Sequence, residues 1–369
     1  MKKDFAAFIG GTFDDNGGKE SKVAKIMFES MNSSGEVEFK LYMNGGSYET
    51  LEENLTRLVE YVSYVFWFAN VPDNSKRKLV KEIKTINPKC ILVTSKRNHG
   101  EYKIQDLIQH ALSNKSNLFL EITQKDDIYV GRVLDPLGNL IHDYSSDFSD
   151  ISLSILKRSK YLKEITRVGS VKVGDAIEVP NKYEFFNFVR SSADVFKKLI
   201  PVSSENSRFL GNASFRCRSG FPSFRHEDKI FVSRRNVDKE NIGRDGFVAL
   251  NPGKLPVEYY GEHKPSVDSP IHVGLYEQFP LINYMIHGHV YVLPDKVPMT
   301  RNNVPCGGIE EVEEILDVNN GDVRKFSKYN LFFCINLKGH GFIAGFANEL
   351  FFNQLTEKEY KARIFPEKI

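Results

Sequence analysis

The sequence has no long apolar run and almost no net charge. No stretch approaches the roughly 18 consecutive apolar residues that a transmembrane helix needs. The start, MKKDFAAFIGG, carries an apolar stretch too short for a signal peptide. A formal net charge of +2 over 369 residues gives no electrostatic basis for binding nucleic acid or an anionic membrane. We therefore expect neither nucleic acid nor a membrane as a partner.

Cysteine is also scarce. Cys90, Cys217, Cys306 and Cys334 lie far apart and form no CxxC pair. Two of them stand in the apolar runs CILVTS and LFFCINL, where a buried free thiol is the ordinary interpretation. This usage favours a reducing compartment, and we expect a cytoplasmic protein.

The composition that is present, 41% hydrophobic and 27% charged, is that of a globular chain long enough for two domains. From FAAFIGG to NLFLEIT, short apolar strands alternate with amphipathic helices, and a hairpin-like stretch follows that turns near Pro136–Asn139. Such alternation predicts a mostly parallel sheet covered by helices. The fold class is therefore α/β, and residues 1–165 are predicted to form a Rossmann- or flavodoxin-like domain of open strand order.

A Gly/Val-rich join, VGSVKVGDAIEVPN, places the domain boundary within residues 165–180. The second domain, residues 180–369, opens with a helix in KYEFFNFVRSSADVFKKLI and has another near SPIHVGLYEQF. Two apolar strands are expected around INYMIHGHVYV and YNLFFCINLKGHGFIAGF.

Histidines mark both of these strands. On a strand, His287 and His289 of HGH point to the same face, so both imidazoles can reach one ion. The alternative is a pair of half-exposed histidines bonded to carbonyls. Catalytic zinc takes three protein ligands and keeps one open position. His340, between glycines in KGHGF, is the plausible third ligand, because the other histidines lack that setting: His99, His110, His142, His226, His263 and His272.

The segment KPSVDSPIHVGLYEQFPLINYMIHGHVYV resembles the class II aldolase/adducin family, in which KPS, an acid, HxxxY and HxH follow in this order. FLGNASFR is similar to the Gly-Asn-x-Ser loop of the family, and VPCGGIEEVEEI to its proline–glycine stretch and following helix. The resemblance covers residues 183–350 and implies a class II aldolase-like α/β/α domain. It implies a divalent metal, most often zinc, held by His287, His289 and His340, and a homotetramer with sites near subunit contacts.

The resemblance also suggests catalytic groups. Asp268 matches the family's acid/base position, where aldolases carry Glu and sugar-phosphate 4-epimerases carry Asp. Its alternative role is the N-cap of the following helix, and the two roles are compatible. Family enzymes also use tyrosines near the C-terminus, and Tyr360 is the one tyrosine after the HG turn.

Substrate binding is expected at the family's phosphate positions, where Gly211, Asn212 and Ser266 match. The Thr-Pro-Ser-Gly turn is replaced by FVSRRNV: Ser233 stands near the Thr position, and Arg234 and Arg235 follow. The arginines supply charge-assisted donors for phosphate or carboxylate, unless this is a solvated surface turn. We expect a small anionic substrate with a head group that differs from the family norm.

The N-terminal half resembles no family that we recognise. Glycines separate its first strand and helix, at Gly10, Gly11, Gly17 and Gly18. A helix N-terminus after such a loop can bind an anion or nucleotide, although the spacing fits neither GxGxxG nor GxxxxGK[ST] and turns alone explain many such glycines. Asn70, Lys96 and Arg97 follow later strands and are expected at the same sheet edge.

Three hypotheses of function follow. The first is a metal-dependent aldolase that cleaves a small anionic hydroxy-carbonyl compound, with a phosphorylated one expected, through a zinc-stabilised enediolate; a 4-epimerase using the same site is its variant. The second is a non-catalytic, adducin-like interaction module, which need not keep metal ligands. The third places the chief activity in the N-terminal half.

Overall fold

The computed structural model describes residues 4–74, 76, 78–125, 128–165, 168–200, 211–218, 227–318 and 330–363. The chain separates into two compact units, and the division lies between Glu164 and Ile165. In the described ranges, no helix combines the length and apolar character that a membrane crossing requires.

The N-terminal unit alternates strands and helices as predicted. Its strands are β1 (Asp4–Asp14), β2 (Val37–Ser47), β3 (Tyr64–Trp67), β4 (Ile91–Asn98), β5 (Leu118–Lys125), β6 (Ile128–Leu134) and β7 (Leu140–Ser145). Its helices are α1 (Lys22–Ser33), α2 (Tyr48–Leu58), α3 (Lys78–Ile86), α4 (Ile104–Ser113) and α5 (Phe148–Ile165), with a 3-10 turn at Val59–Tyr61.

The seven strands form one sheet in the order β2-β1-β3-β4-β5-β6-β7. The first five in this order are parallel, and β6 and β7 add an antiparallel edge. The order 2-1-3-4-5 is that of flavodoxin-like sheets, so the predicted fold class is confirmed and its strand order is now defined.

Helices cover both faces of this sheet, and the interior strand β1 is apolar on both sides. Ala6 and Phe8 of β1 pack with α1 and α5 on one face. Ala7 and Ile9 pack with α2 and α3 on the other. Successive side chains of a strand point to opposite faces, so a continuous apolar run reads as a strand buried between two helical layers.

A buried polar cluster centres on Glu121 in β5. Its Oε2 accepts from Arg132 Nε at 2.6 Å and from the Tyr144 hydroxyl at 3.1 Å. Its Oε1 accepts from Asn98 Nδ2 at 2.6 Å. Glu121 and Arg132 are both almost fully buried, and both carboxylate oxygens therefore have donors.

The C-terminal unit has strands β8 (Ser170–Gly174), β9 (Asn212–Cys217), β10 (Lys229–Ser233), β11 (Phe247–Leu250), β12 (Val257–Tyr260), β13 (Tyr284–Gly288), β14 (Tyr291–Val292), β15 (Phe332–Leu337), β16 (Gly341–Phe346) and β17 (Tyr360–Lys361). Its helices are α6 (Tyr183–Leu199), α7 (Ser269–Gln278) and α8 (Glu310–Asp317), with 3-10 turns at Arg244–Gly246, Glu349–Gln354 and Glu357–Glu359.

Eight of these strands form a mainly antiparallel sheet in the order β15-β16-β13-β9-β10-β11-β12-β8, and β14 pairs with β17. Along β10, Phe231 packs with α6 on one face, while Ile230 and Val232 pack with α7 and α8 on the other. The unit is thus a three-layer α/β/α arrangement, as predicted. One expected strand is in fact two, because residues 338–340 turn between β15 and β16.

Candidate metal centre and active site

Two histidine-bearing segments meet where β13 pairs with β16. His287 lies at the end of β13 and His289 just after it, while His340 lies in the turn before β16. Gly341 has φ +145°, and a Cβ there would lie 2.0 Å from the Gly288 carbonyl oxygen. Only glycine allows this approach of the two backbones, and the approach brings His340 beside the other two histidines.

The three imidazoles form one compact cluster. Their ring centroids are 5.0 Å (His287–His289), 4.6 Å (His287–His340) and 5.4 Å (His289–His340) apart. One nitrogen from each ring lies within 4.8 Å of the others. All three side chains are at least nine-tenths buried, so water is largely kept from the nitrogens that face one another.

His287 carries the clearest signal of a ligand. Its Nδ1 lies 2.7 Å from the Phe342 carbonyl oxygen and therefore donates. Its Nε2 then bears a lone pair, is buried and has no hydrogen-bond partner among the residues that the structure describes. Burial lowers the pKa of His287 to about 3, so the ring is neutral at pH 7. A neutral, oriented imidazole beside two others fits a divalent metal ion.

His340 is held by two further side chains. Its Nδ1 is 3.5 Å from Oε2 of Glu311, a fully buried acid on α8. Its Nε2 is 3.1 Å from the Cys306 sulfur. Burial opposes charge on the ring, but Cys306 and Glu311 outweigh it and raise the pKa of His340. A carboxylate that orients a metal-ligating imidazole is a common second partner of such sites.

Asp268 faces this cluster from the start of α7. It occupies the N-cap position but makes no side-chain cap bond. Its Oδ1 accepts from the Gly307 N–H at 2.7 Å and its Oδ2 from Asn212 Nδ2 at 2.7 Å. Oδ2 is also 4.0 Å from His287 Nε2. Burial would raise the pKa of Asp268, but His340, His287 and the Gly307 N–H outweigh it and lower the pKa, which keeps the carboxylate ionised.

A hydrogen-bonded row extends from Asp268 into the core. Asn212 Oδ1 is 2.5 Å from His272 Nε2, and His272 Nδ1 is 2.7 Å from the Ser214 hydroxyl. Ser214 in turn lies 3.0 Å from the Tyr276 hydroxyl. Burial lowers the pKa of His272 to about 4. The sequence did not indicate a site role for His272. In the structure, the hydrogen-bonded row that contains His272 orients Asn212 and, through Asn212, Asp268.

The i, i+4, i+8 spacing of Asp268, His272 and Tyr276 was the sequence signal for this row. Residues four apart share one face of a helix. Three polar residues at that spacing, interleaved with apolar residues of α7, indicate a shared buried network.

Several of the predicted substrate-binding residues connect to Asp268 by hydrogen bonds. Asn212 Nδ2 donates to Asp268 Oδ2, the Asp268 N–H donates to the Ser266 hydroxyl at 3.4 Å, and the Ser266 N–H donates to the Ser233 carbonyl at 3.0 Å. Arg235 is an exposed residue; desolvation lowers its pKa, and the charge of Asp268 offsets part of that effect. Arg234 lies near Asp245, with 3.9 Å between the charged atoms.

Lys239 was not predicted and is a buried cation of the same loop. It is 5% exposed, and burial lowers its pKa to about 8 despite the nearby charge of Asp268. Its own charge contributes to the low pKa of His289. The burial of Lys239 could not be predicted from the segment DKEN, because such a polar segment is typical of a solvated turn.

Gly211 lies against β13, the strand that carries His287. A Cβ at Gly211 would lie 1.9 Å from the His287 carbonyl oxygen, so this glycine permits close packing of β9 on β13. Phe209 and Leu210 of the predicted Gly-Asn loop lie outside the described residues.

Tyr360 lies in the core. Its hydroxyl is 3.1 Å from Ser192, and its ring packs edge-on to Phe196 at 4.9 Å. Burial raises its pKa. Within this chain the predicted catalytic role of Tyr360 is therefore not supported, because β17 carries the ring into the apolar layer between α6 and the sheet.

The segment after β17 reaches the histidine cluster through the side chain of Arg363, which bonds to backbone carbonyls there. Arg363 Nε donates to the His289 carbonyl at 3.0 Å, and Nη1 donates to the Gly339 carbonyl at 2.5 Å. The pairing of Tyr360–Lys361 with Tyr291–Val292 positions this arginine. One guanidinium thus fixes the backbones next to two of the three imidazoles.

In the N-terminal unit, the four predicted glycines lie in or just after β1. A Cβ at Gly18 would be 1.7 Å from the Thr12 carbonyl oxygen. The Thr12 N–H bonds to the Lys19 carbonyl and the Gly18 N–H to the Gly46 carbonyl. Close backbone packing accounts for Gly18, and two donors expected for an anion are already used. Ligand binding by Gly10, Gly11, Gly17 and Gly18 stays a prediction.

Of the residues expected near that loop, Asn70 is adjacent to it. Its N–H donates to the Gly11 carbonyl at 2.8 Å, where the strand order reverses between β1 and β3. Lys96 instead lies over the Tyr102 ring at 3.6 Å, and Arg97 over the Tyr129 ring at 5.8 Å.

Comparison with known families bears on the second unit. Residues 194–293 match the model of the class II aldolase and adducin N-terminal domain. This segment belongs to the class II aldolase and adducin family. It contains Asp268, His287 and His289, and the resemblance seen in the motifs is confirmed.

One curated relative is a methylthioribulose-1-phosphate dehydratase from a Picosynechococcus species, 40% identical over 68 residues. The match covers 18% of this chain and 32% of that protein. The chain thus spans about a third of the length of this relative.

Two solved structures show similarity at low identity. An L-fuculose 1-phosphate aldolase is 18% identical, with a TM-score of 0.35, over 49% of this chain and 84% of its own. A DNA/pantothenate metabolism flavoprotein from Streptococcus pneumoniae is 12% identical, with a TM-score of 0.35, over 44% of this chain and 100% of its own.

Proposed function

We propose that this chain is a metal-dependent lyase that cleaves a carbon–carbon bond in a small anionic hydroxy-carbonyl compound by an aldol-type reaction. The observation that carries the proposal is the buried, unpartnered Nε2 of His287 inside a cluster of three imidazoles. Family membership of residues 194–293 supports it. An interaction module needs no such convergence of three buried imidazoles.

His287, His289 and His340 would hold the ion, and three nitrogen donors favour zinc. A divalent ion in this position would polarise the oxygens of a bound hydroxy-carbonyl compound and stabilise negative charge that develops on them. The residues of the chain supply the orientation: Phe342 through its carbonyl and Glu311 through its carboxylate hold two of the rings.

Asp268 is the proposed base. In aldol cleavage it would accept the proton of the substrate hydroxyl as that C–O bond becomes a carbonyl and the adjacent carbon–carbon bond breaks. The electron pair remains on the carbon next to the substrate carbonyl, and that carbon then takes up the proton. Gly307 and Asn212 hold the two oxygens of Asp268, so the carboxylate keeps one orientation through both transfers.

Arg235 and Lys239 are proposed to bind the anionic end of the substrate. Both lie close enough to Asp268 for its charge to affect their pKa values. Lys239 is buried and Arg235 is exposed. Two cations near one carboxylate leave a net positive charge, which a phosphate or carboxylate group would balance.

Dehydration of a sugar phosphate is the second candidate. The observation in its favour is the 40% identity with a dehydratase over 68 residues. Both reactions need a polarised carbonyl and a base, so the geometry of the imidazole cluster serves either. They differ in the bond that breaks, and so in the products.

The products decide between them. Protein purified without an affinity tag is incubated with a panel of phosphorylated ketoses and hydroxy acids, and the products are followed by NMR. Two carbonyl fragments are expected; loss of water from an intact skeleton would establish dehydration instead, and inversion at one carbon an epimerase.

Asp268→Asn tests the proposed base. We expect kcat to fall about 10²- to 10⁴-fold, with the metal still bound. Asp245→Asn, which alters an exposed acid of the same unit, is the matched control. Full activity of Asp268→Asn would contradict the role of Asp268, and a protein that binds no divalent metal would contradict the proposed function itself.

A further inference from the structure

The turn that contains Cys306 is docked onto the metal cluster. Gly307 of this turn donates its N–H to Asp268 Oδ1 at 2.7 Å. The dock places the Cys306 sulfur 3.1 Å from His340 Nε2. Because Glu311 faces the Nδ1 of the same ring, Cys306 lies on the side of His340 that remains for a metal ion.

The donor atoms of Asp268, Cys306 and His340 lie within 4.8 Å of one another, as do those of the three histidines. His340 belongs to both groups. The second group connects to the unpartnered His287 Nε2 as well, since that nitrogen is 4.0 Å from Asp268 Oδ2. The thiol thus lies beside His340, the ring that the two groups share.

We propose that Cys306 is a fourth protein ligand of the metal ion bound by His287, His289 and His340. The inference rests on the proposed function in that it uses the same ion. It goes further by giving the resting site a sulfur donor, which substrate oxygens would displace or would join in a five-coordinate ion. A set of three imidazoles and one thiolate is a borderline-soft set, which favours zinc or cobalt over magnesium or manganese.

The proposal also gives a physical reason for the sequence VPCGG. Gly307 has φ +81°, and a Cβ there would lie 2.7 Å from Val267 Cγ1. The glycine therefore lets the turn settle against the residue next to Asp268. Because Cys306 directly precedes Gly307 in the chain, this contact holds the sulfur at the cluster.

Cobalt substitution tests the proposal on the full chain. Zinc is replaced by Co²⁺, and the absorption spectrum of the wild type is compared with that of Cys306→Ser. We expect a thiolate-to-cobalt charge-transfer band in the near ultraviolet that Cys306→Ser lacks, while the visible cobalt bands persist in both. Cys90→Ser, a thiol of the other unit, is the matched control and should keep the charge-transfer band.

Zinc affinity gives a second measurement. Competition with a chelating dye should show that Cys306→Ser binds zinc at least about tenfold more weakly than the wild type. Bound zinc should also slow alkylation of Cys306 by iodoacetamide, measured by peptide mass spectrometry against metal-free protein.

The outcomes separate the two proposals. Visible cobalt bands without the charge-transfer band in the wild type, or equal zinc affinity of wild type and Cys306→Ser, would overturn the fourth ligand and leave the three-histidine site intact. Failure of the wild type to bind cobalt or zinc at all would overturn both.

Discussion

Each unit has a buried polar cluster around a glutamate, and the two clusters differ in whether both carboxylate oxygens of that glutamate have donors. Around Glu121, both carboxylate oxygens have donors. Around His340, the buried atoms His287 Nε2 and Glu311 Oε1 have no hydrogen-bond partner within the part of the chain described. A buried polar group without a partner costs about 1–3 kcal/mol. A ligand at the three imidazoles would offset that cost at His287, whereas the Glu121 carboxylate already has its donors within the protein.

The strongest test of this contrast is removal of one imidazole. His289→Ala should reduce bound metal well below one ion per chain and abolish turnover, because the ion loses one of its three imidazole ligands. Metal is measured by mass spectrometry on tag-free protein. His263→Ala, an exposed histidine of the same unit, should retain the ion; metal retained by His289→Ala would refute the three-histidine site.

In the Glu121 cluster, a substitution should change the stability of the fold and not the metal content. Arg132→Met leaves the buried Glu121 carboxylate without its cation and should lower the free energy of unfolding by about 3–5 kcal/mol, with metal content unchanged. Urea unfolding measures it.

Replacing both partners of the buried pair, Glu121→Leu with Arg132→Met, should recover most of that loss because no buried charge remains. A single variant that also lost the metal ion would break the contrast between the two clusters.

A smaller effect is expected at the carboxylate behind His340. Glu311→Gln should weaken zinc binding about 10- to 100-fold, since the amide no longer orients the ring by charge. Glu313→Gln, an exposed change on the same helix, serves as control. Equal affinities in a chelator competition would show that Glu311 only packs.

The smallest effect concerns pH. Burial lowers the pKa of Lys239 to about 8, so the ammonium loses its proton as pH rises through that value. KM for an anionic substrate should then increase by about tenfold, the scale of one hydrogen bond to a charged group. In Lys239→Arg the guanidinium stays charged, and KM should be nearly constant from pH 7 to 9; an identical rise in that variant would remove Lys239 from the binding site.

The contrast also shows what the sequence could predict. Strand–helix alternation predicted the N-terminal sheet because its strands are apolar on both faces. The position of β1 between β2 and β3 depends on packing between distant segments, which periodicity does not encode. Likewise, HGH and the HG turn predicted that three histidines come together, since strand period and glycine are local signals; their role as metal ligands stays a prediction.

Cys306, Glu311 and Lys239 escaped prediction for a shared reason. Each is brought to the candidate site by a contact with a segment distant in sequence, as Cys306 is by its contact with His340, 34 positions away. Glu311 stands in IEEVEEI, where acids are expected to face solvent. Its neighbour Val312 is buried, and Ile315 four residues on is fully buried, which places Glu311 on the same inward face of α8.

The clamp by Arg363 has a consequence for biosynthesis. Its bond to the His289 carbonyl spans 74 positions, and chains leave the ribosome from the N-terminus onward. The loop carrying HGH therefore emerges well before the arginine that fixes it. Final alignment of the imidazoles belongs to the last stage of maturation, after translation has passed residue 363.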